Sequence, residues 1–359
     1  MKSWPRSAGT ANEPAARESD LLSHSVRDLG SAPVSVRDAL HAAERRIGEA
    51  DRVVVILNPV AGGGRARRLR AEIERELEAR RIGFSLERTE GPGHARELAR
   101  AAATNGASVV VAAGGDGTVH EVVNGLLGAA AEQPRAPTLA VLPVGTGNDF
   151  VKAIYPSSAR VRTYRALDGG LIRRLDVGRA EWDGQVEYFV NGLGTGVDVE
   201  VVRRIARLPP LPGVLRYLVA AIQALRGFRP VPLRVSLDGH GLEQRAMLFA
   251  VGNGPCQGGG FFLTPEAAPD DERFDVCIVD ELSYVEIAAV LPRVMRGSHG
   301  RSPKVKMKRA RTIVVEGPAG APLFFQMDGE LREARETPVR VQIAPAVLPV
   351  LAPAGGGRP

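Results

Sequence analysis

The chain has 359 residues, 44% hydrophobic and 25% charged, with a formal net charge of +6. That length allows two domains with a sizeable core, and that balance excludes wholesale disorder. Two separated cysteines, Cys256 and Cys277, and six scattered histidines exclude a disulfide framework, a CxxC metal knuckle and an HExxH site.

Residues 1–50 read as an N-terminal extension, rich in Ser, Ala, Arg, Pro and Glu up to about residue 34, with a short polar helix around Val36 to Ile47. The folded part begins at Val53, where Val53-Val54-Val55-Ile56-Leu57 is an apolar run suited to a strand covered on both faces. A glycine loop at Gly62 to Gly64 leads into a charged helix through about Arg80. A strand at Phe84 to Arg88, a helix at His94 to Ala103 and a strand at Ser108 to Ala112 follow. A second glycine loop, a helix at Val119 to Leu127, a strand at Leu139 to Leu142 and a third glycine loop complete the alternation. This order predicts an α/β domain over 51–172 with a largely parallel, Rossmann-like sheet. Beyond it, short β-rich segments separated by Asp183-Gly184 and Asp238-Gly239 predict a mostly antiparallel sandwich domain over 173–348, with a tail at 349–359.

Three loops carry chemistry. Asn58-Pro59-Val60-Ala61-Gly62-Gly63-Gly64 ends the first strand at the mouth of a helix, where free N–H groups and a partial positive charge suit phosphate. No Gly-Lys-Ser/Thr closes it, so it is not a Walker A loop, and a plain strand–helix turn reads equally well. Gly114-Gly115-Asp116-Gly117-Thr118-Val119-His120-Glu121 makes a bare turn that presents a carboxylate at the sheet's C-terminal edge, where ligands gather in open α/β sheets. Asp116 there suits a nucleotide-bound Mg²⁺. Gly145-Thr146-Gly147-Asn148-Asp149-Phe150 adds hydrogen-bonding groups and a second carboxylate, although Asn148 or Asp149 also suits a helix cap. Three such loops on one sheet would converge on one polyphosphate.

Together these segments closely resemble the diacylglycerol kinase catalytic family over about Val53 to Leu348. The Gly-Gly-Asp-Gly-Thr turn also occurs in NAD kinases, whereas the Asn-Pro loop and the Gly-Thr-Gly-Asn-Asp-Phe loop resemble the lipid branch. The resemblance implies an active site in the cleft between the two domains, with ATP held by Asn58, Pro59, Val60, Ala61 and Gly62. It adds Thr89, the run Gly114, Gly115, Asp116, Gly117, Thr118, Val119 and His120, then Thr146 and Asp149. It implies a structural Mg²⁺ held by Asp271 and the carbonyls of Ala268 and Arg273, although Glu272 stands where the family has glycine. In Met327-Asp328-Gly329-Glu330 it implies catalytic roles for Asp328 and Glu330, with Glu330 as proton acceptor and Asp116 organising the nucleotide; the Asp-Gly pair alone reads as a hairpin turn.

The activity implied is transfer of the γ-phosphoryl of ATP, with Mg²⁺, to a lipid hydroxyl, diacylglycerol giving phosphatidic acid being the expected case. The rivals are a soluble-metabolite kinase of the NAD kinase type and a regulator without catalysis. No apolar run reaches the roughly 18 residues that span a bilayer, and no signal peptide opens the chain. A cytoplasmic protein with peripheral contact to a membrane bearing its lipid substrate is expected. Leu215, Leu218, Ile222 and Leu225 recur at helical spacing and suit a membrane face, an acyl pocket or plain core. Lys304, Lys306, Lys308, Arg309 and Arg311 suit either anionic lipid or the wet face of a strand. With 5% aromatic residues and no recognition motif, nucleic acid is not an expected partner, and oligomeric state, homodimer included, is left open.

Overall fold

The computed structural model describes residues 44–130, 136–154, 159–209 and 214–353. Most of the expected extension and helix lies outside them. The part inside differs from expectation: Glu44–Arg45 form a short strand, β1, and Ile47 is buried.

The apolar runs become parallel strands β2 (Val53–Leu57), β4 (Val109–Gly114) and β5 (Thr138–Pro143), with β3 (Phe84–Arg88) at the edge. Alternate side chains serve opposite faces, as a strand's two-residue period requires. Val54, Ile56, Val110 and Val141 pack with α2 (His94–Thr104) and α3 (Asp116–Ala130). Val53, Val55, Leu57, Val111 and Leu142 pack with α1 (Ala61–Ala79) and α5 (Ala159–Gly169). Burying each large aliphatic chain contributes roughly 1.5–3 kcal/mol, so both faces must be covered. The short helix α4 (Asp149–Ile154) follows the third glycine loop.

The same sheet does not stop at β5. The long strand β17 (Val339–Pro353) pairs in parallel with β5 at Val350, and antiparallel with β6 (Gly170–Trp182) and β14 (Thr312–Glu316). β14 carries β9 (Val231–Leu237) and β10 (His240–Ala246), while β6 carries β7 (Gln185–Phe189). Val350 and Leu351, expected in a tail from 349, are instead fully buried strand residues. A second, antiparallel sheet runs β13-β12-β11-β8-β15-β16. Its strands are β8 (Gly192–Gly196), β11 (Leu248–Gly252), β12 (Phe274–Val279), β13 (Val305–Ala310), β15 (Leu323–Met327) and β16 (Glu330–Ala334).

Trp182 meets Phe325 edge-on at 5.1 Å and Phe189 stacks on Phe274 at 5.7 Å, closing the sandwich core between the two sheets. Helices α6 (Val197–Ile205), α7 (Val214–Leu225) and α8 (Tyr284–Met295) contribute to a further apolar cluster with the second sheet. Ser283 and Glu286 form a reciprocal capping box at the start of α8.

Candidate active site

The three glycine loops lie at the C-terminal ends of β2, β4 and β5 and touch one another. Asn58 Nδ2 donates to Thr118 Oγ1 at 3.0 Å, tying the first loop to the second. Its Oδ1 accepts the Val60 N–H, which fixes the turn. Gly62 has φ +61°, and a Cβ there would sit 2.3 Å from the Val144 carbonyl, so only glycine lets the first loop reach the third. A Cβ on Gly147 would lie 2.7 Å from Asp116 Oδ2. Thr146 is exposed on the third loop, and Thr89 is buried, its N–H bonded to the Leu57 carbonyl. Val119 contributes only its backbone here, since its side chain belongs to the core. A cavity beside Asn58 is lined by Leu57, Pro59, Arg70 and Arg88. The two arginines carried no motif that could single them out.

Asp116 sits where these loops meet the second half of the chain. Burial, and then the nearby Asp149 charge, push its carboxyl up to about 7, against hydrogen bonds from the Phe150 and Asp149 N–H groups. Asp149 is engaged by groups of the protein: it accepts from Gly259 N–H at 2.7 Å, Lys152 at 3.0 Å and Cys256 at 3.2 Å. It thereby ties the third loop to the 256–259 turn.

His120 also departs from expectation. It is buried, with Nδ1 at 2.9 Å from Asp328 Oδ2 and Nε2 at 2.9 Å from Glu187 Oε1. Both carboxylates are acceptors, so both ring nitrogens donate and the ring is an imidazolium. Burial alone would lower its pKa, but these two partners raise it to about 9. Burial likewise opposes ionisation of Glu187, yet Arg332 and His120 bring its carboxyl down to about 2. Arg332 holds Glu187 through two bonds, 2.6 and 2.7 Å.

Asp328 and Gly329, with φ of 49° and 90°, make the two-residue turn between β15 and β16. The hairpin reading of this segment is realised, and the turn lies against His120 of α3. Asp328 accepts the N–H groups of Val190, Asn191 and Gly192 as well as His120, so its carboxylate is saturated. Glu330 is exposed, with Oε1 only 3.3 Å from where a Cβ on Gly117 would lie.

From Asp116 an apolar cavity of about 160 Å³ runs into the second half of the chain. Asp116, Asp149 and Asp328 belong to its wall along with Val201, Tyr217 and Leu225, and with Ile287, Val290 and Val294 of α8. Within it Asp198 accepts from Gln326 at 2.7 Å, and burial pushes the Asp198 carboxyl up to about 6. Gln257, whose Nε2 has no hydrogen-bond partner, completes this polar patch. Asp198 sits after the strand Gly192–Gly196, where a Cβ on Gly194 would lie 1.9 Å from Asp198 Oδ2. That glycine-rich strand has no signal of its own in the sequence, because its glycines answer to tertiary neighbours.

The residues expected to hold a structural Mg²⁺ do not fit one. Asp271 Oδ1 accepts the Arg273 N–H, and its other oxygen is contacted by the Arg309 guanidinium. The basic stretch at 304–311 is largely neutralised: Lys304 pairs with Glu286, Lys306 with Asp280, Arg309 with Asp271 and Arg311 with Glu272.

Glycine-rich loops at the ends of the strands of an α/β sheet face an apolar cavity in an attached sandwich, and that arrangement defines the class of fold. Residues 52–180 match the model of the diacylglycerol kinase catalytic domain, and residues 191–352 that of the YegS C-terminal NAD kinase beta sandwich-like domain. A diacylglycerol kinase of Bacillus subtilis (strain 168) is 30% identical over 281 residues, covering 78% of this chain and 89% of that protein. One of Staphylococcus saprophyticus is 29% identical over 280 residues, covering 78% and 88%. A solved structure from Bacillus anthracis str. Sterne superposes with a TM-score of 0.67 at 23% identity, over 85% of this chain and 98% of that one. The chain belongs to the diacylglycerol kinase family.

Proposed function

We propose that this chain transfers the γ-phosphoryl group of MgATP to the hydroxyl of a lipid, diacylglycerol being the acceptor that its relatives' names suggest. The observation that carries this reading is the meeting of the phosphate loops and the apolar cavity at one carboxylate, Asp116. An apolar cavity suits an acyl chain and does not suit a polar dinucleotide acceptor. Leu215 and Ile222 on α7 and Tyr284 and Val285 on α8 are exposed on two helices that wall the cavity, which supports docking at a bilayer surface. Among the described residues no helix is long and apolar enough to cross a membrane.

In this mechanism the glycine loops donate backbone N–H groups to the phosphates, and the nucleotide's own Mg²⁺ screens them during in-line transfer. Asp116, which stands where the glycine loops meet the cavity and whose carboxyl burial raises, takes the hydroxyl proton. Glu330 borders the phosphate loop at Gly117 and is the alternative base. His120 and Asp328 hold the β15–β16 hairpin, and with it Glu330, against α3.

The test is transfer of label from γ-labelled ATP into a panel of lipid micelles containing Mg²⁺, with Asp116→Asn as control. A labelled lipid made only by the unaltered protein supports the reading and names the acceptor. Label reaching only a soluble acceptor would overturn it.

A further inference from the structure

The family resemblance places a divalent cation on the 268–273 loop, yet the acids of that loop are already matched to arginines. Asp270 accepts from Arg173 of β6 at 2.8 Å, and Glu272 from Arg311 at 2.8 Å. Between them the Arg309 guanidinium, from β13, contacts Asp271 and places Nε 3.4 Å from Asp275 Oδ2 on β12. Asp275 is buried, so its charge calls for a cation close by. Glu272 adopts φ +61°, the left-handed region that glycine favours. Its N–H donates to Asp176 Oδ2 at 2.7 Å, and Asp176 also accepts the Ala346 N–H of β17 at 2.8 Å. The loop is thus tied to both sheets by protein groups. A divalent ion needs several convergent oxygens, and here it would meet a fixed positive charge in contact with the first of them.

We propose that Arg309 takes the place of a structural divalent cation in this chain, bridging the loop at Asp271 to β12 at Asp275, with Arg173 and Arg311 neutralising the flanking acids. The inference concerns stability and stands apart from the choice of acceptor lipid. It separates the nucleotide's Mg²⁺ from any metal requirement of the fold itself.

Calorimetric melting of the full chain without nucleotide, with ionic strength matched by KCl, compares excess EDTA with millimolar MgCl₂. The expected Tm is the same in both, whereas a structural cation at 100 times its Kd would raise it by several degrees. Arg309→Met should lower Tm by about 2–5 °C. Adding Asp271→Asn to that variant should recover part of the loss, because the stranded carboxylate goes with it. A drop of several degrees in EDTA, reversed by Mg²⁺, would overturn the proposal, as would an Arg309→Met variant as stable as the unaltered protein. Should Arg309→Met fail to fold, the two scans of the unaltered protein decide alone.

Discussion

The cleft around Asp116 and the loop at 268–273 both gather carboxylates, but the protein compensates them in opposite ways. At the loop, Asp270, Asp271 and Glu272 each face an arginine at a hydrogen-bonding or ion-pair contact. In the cleft, Asp149 and Asp328 are saturated by N–H donors and cations, while Asp116 receives two backbone N–H groups and the field of a neighbouring carboxylate. The loop's charges are matched and serve the fold. Asp116 is left partly unmatched, and that residual cost is what raises its pKa into the range useful for moving a proton.

The largest expected effect breaks the comparison at Asp116. Asp116→Asn should lower phosphoryl transfer by about 10²–10⁴ in kcat, measured with labelled ATP and whichever acceptor the micelle panel identifies. The folded carboxyl keeps its proton to about 7, against 3.8 for the free side chain. Between those values the folded state binds more protons, so this group makes stability fall as pH rises. The same variant should therefore melt higher than the unaltered protein at pH 8, a gain without activity. If Asp116 is the base, kcat/KM rises with pH through about 7 in the unaltered protein and still does so in Glu330→Gln. Loss of that limb in Glu330→Gln would move the role to Glu330.

Next in size is the clasp between the two halves. His120→Ala leaves Asp328 and Glu187 facing a buried gap and should cost about 3 kcal/mol, read as a shift in denaturation midpoint. His120 is held with a pKa of about 9, above its ordinary 6.5. Its stabilising contribution is complete below pH 6.5 and is lost as pH rises through about 9, so alkaline melting should be steeper in the unaltered protein than in His120→Gln.

A milder effect tests the cavity. Ala221→Phe, on its wall, should reduce turnover with long-chain lipid while nucleotide binding, followed by calorimetric titration, stays unchanged. Equal loss of both would mean that the cavity is not where the acceptor sits. At the small end, Lys306→Ala removes an exposed pair with Asp280 and should change stability by under about 1 kcal/mol.

Much of the architecture was legible from the chain. The runs at 53–57, 109–113 and 139–142 are apolar throughout because both faces of those strands are covered, and that pattern survives in one dimension. The glycine loops were legible for the same reason: a backbone that must approach its neighbours admits no other residue at Gly62. Only the tertiary structure decided where His120, Asp149 and Asp328 point, since each has partners between 67 and 208 positions away in sequence. It also decided that β17 joins the parallel strands to the sandwich, and that Arg309 rather than an empty pocket meets Asp271. Local pattern records burial and backbone geometry, because these constrain each residue by itself. Charge pairing constrains two residues jointly, and nothing in the order of a single chain says which two the fold will bring together.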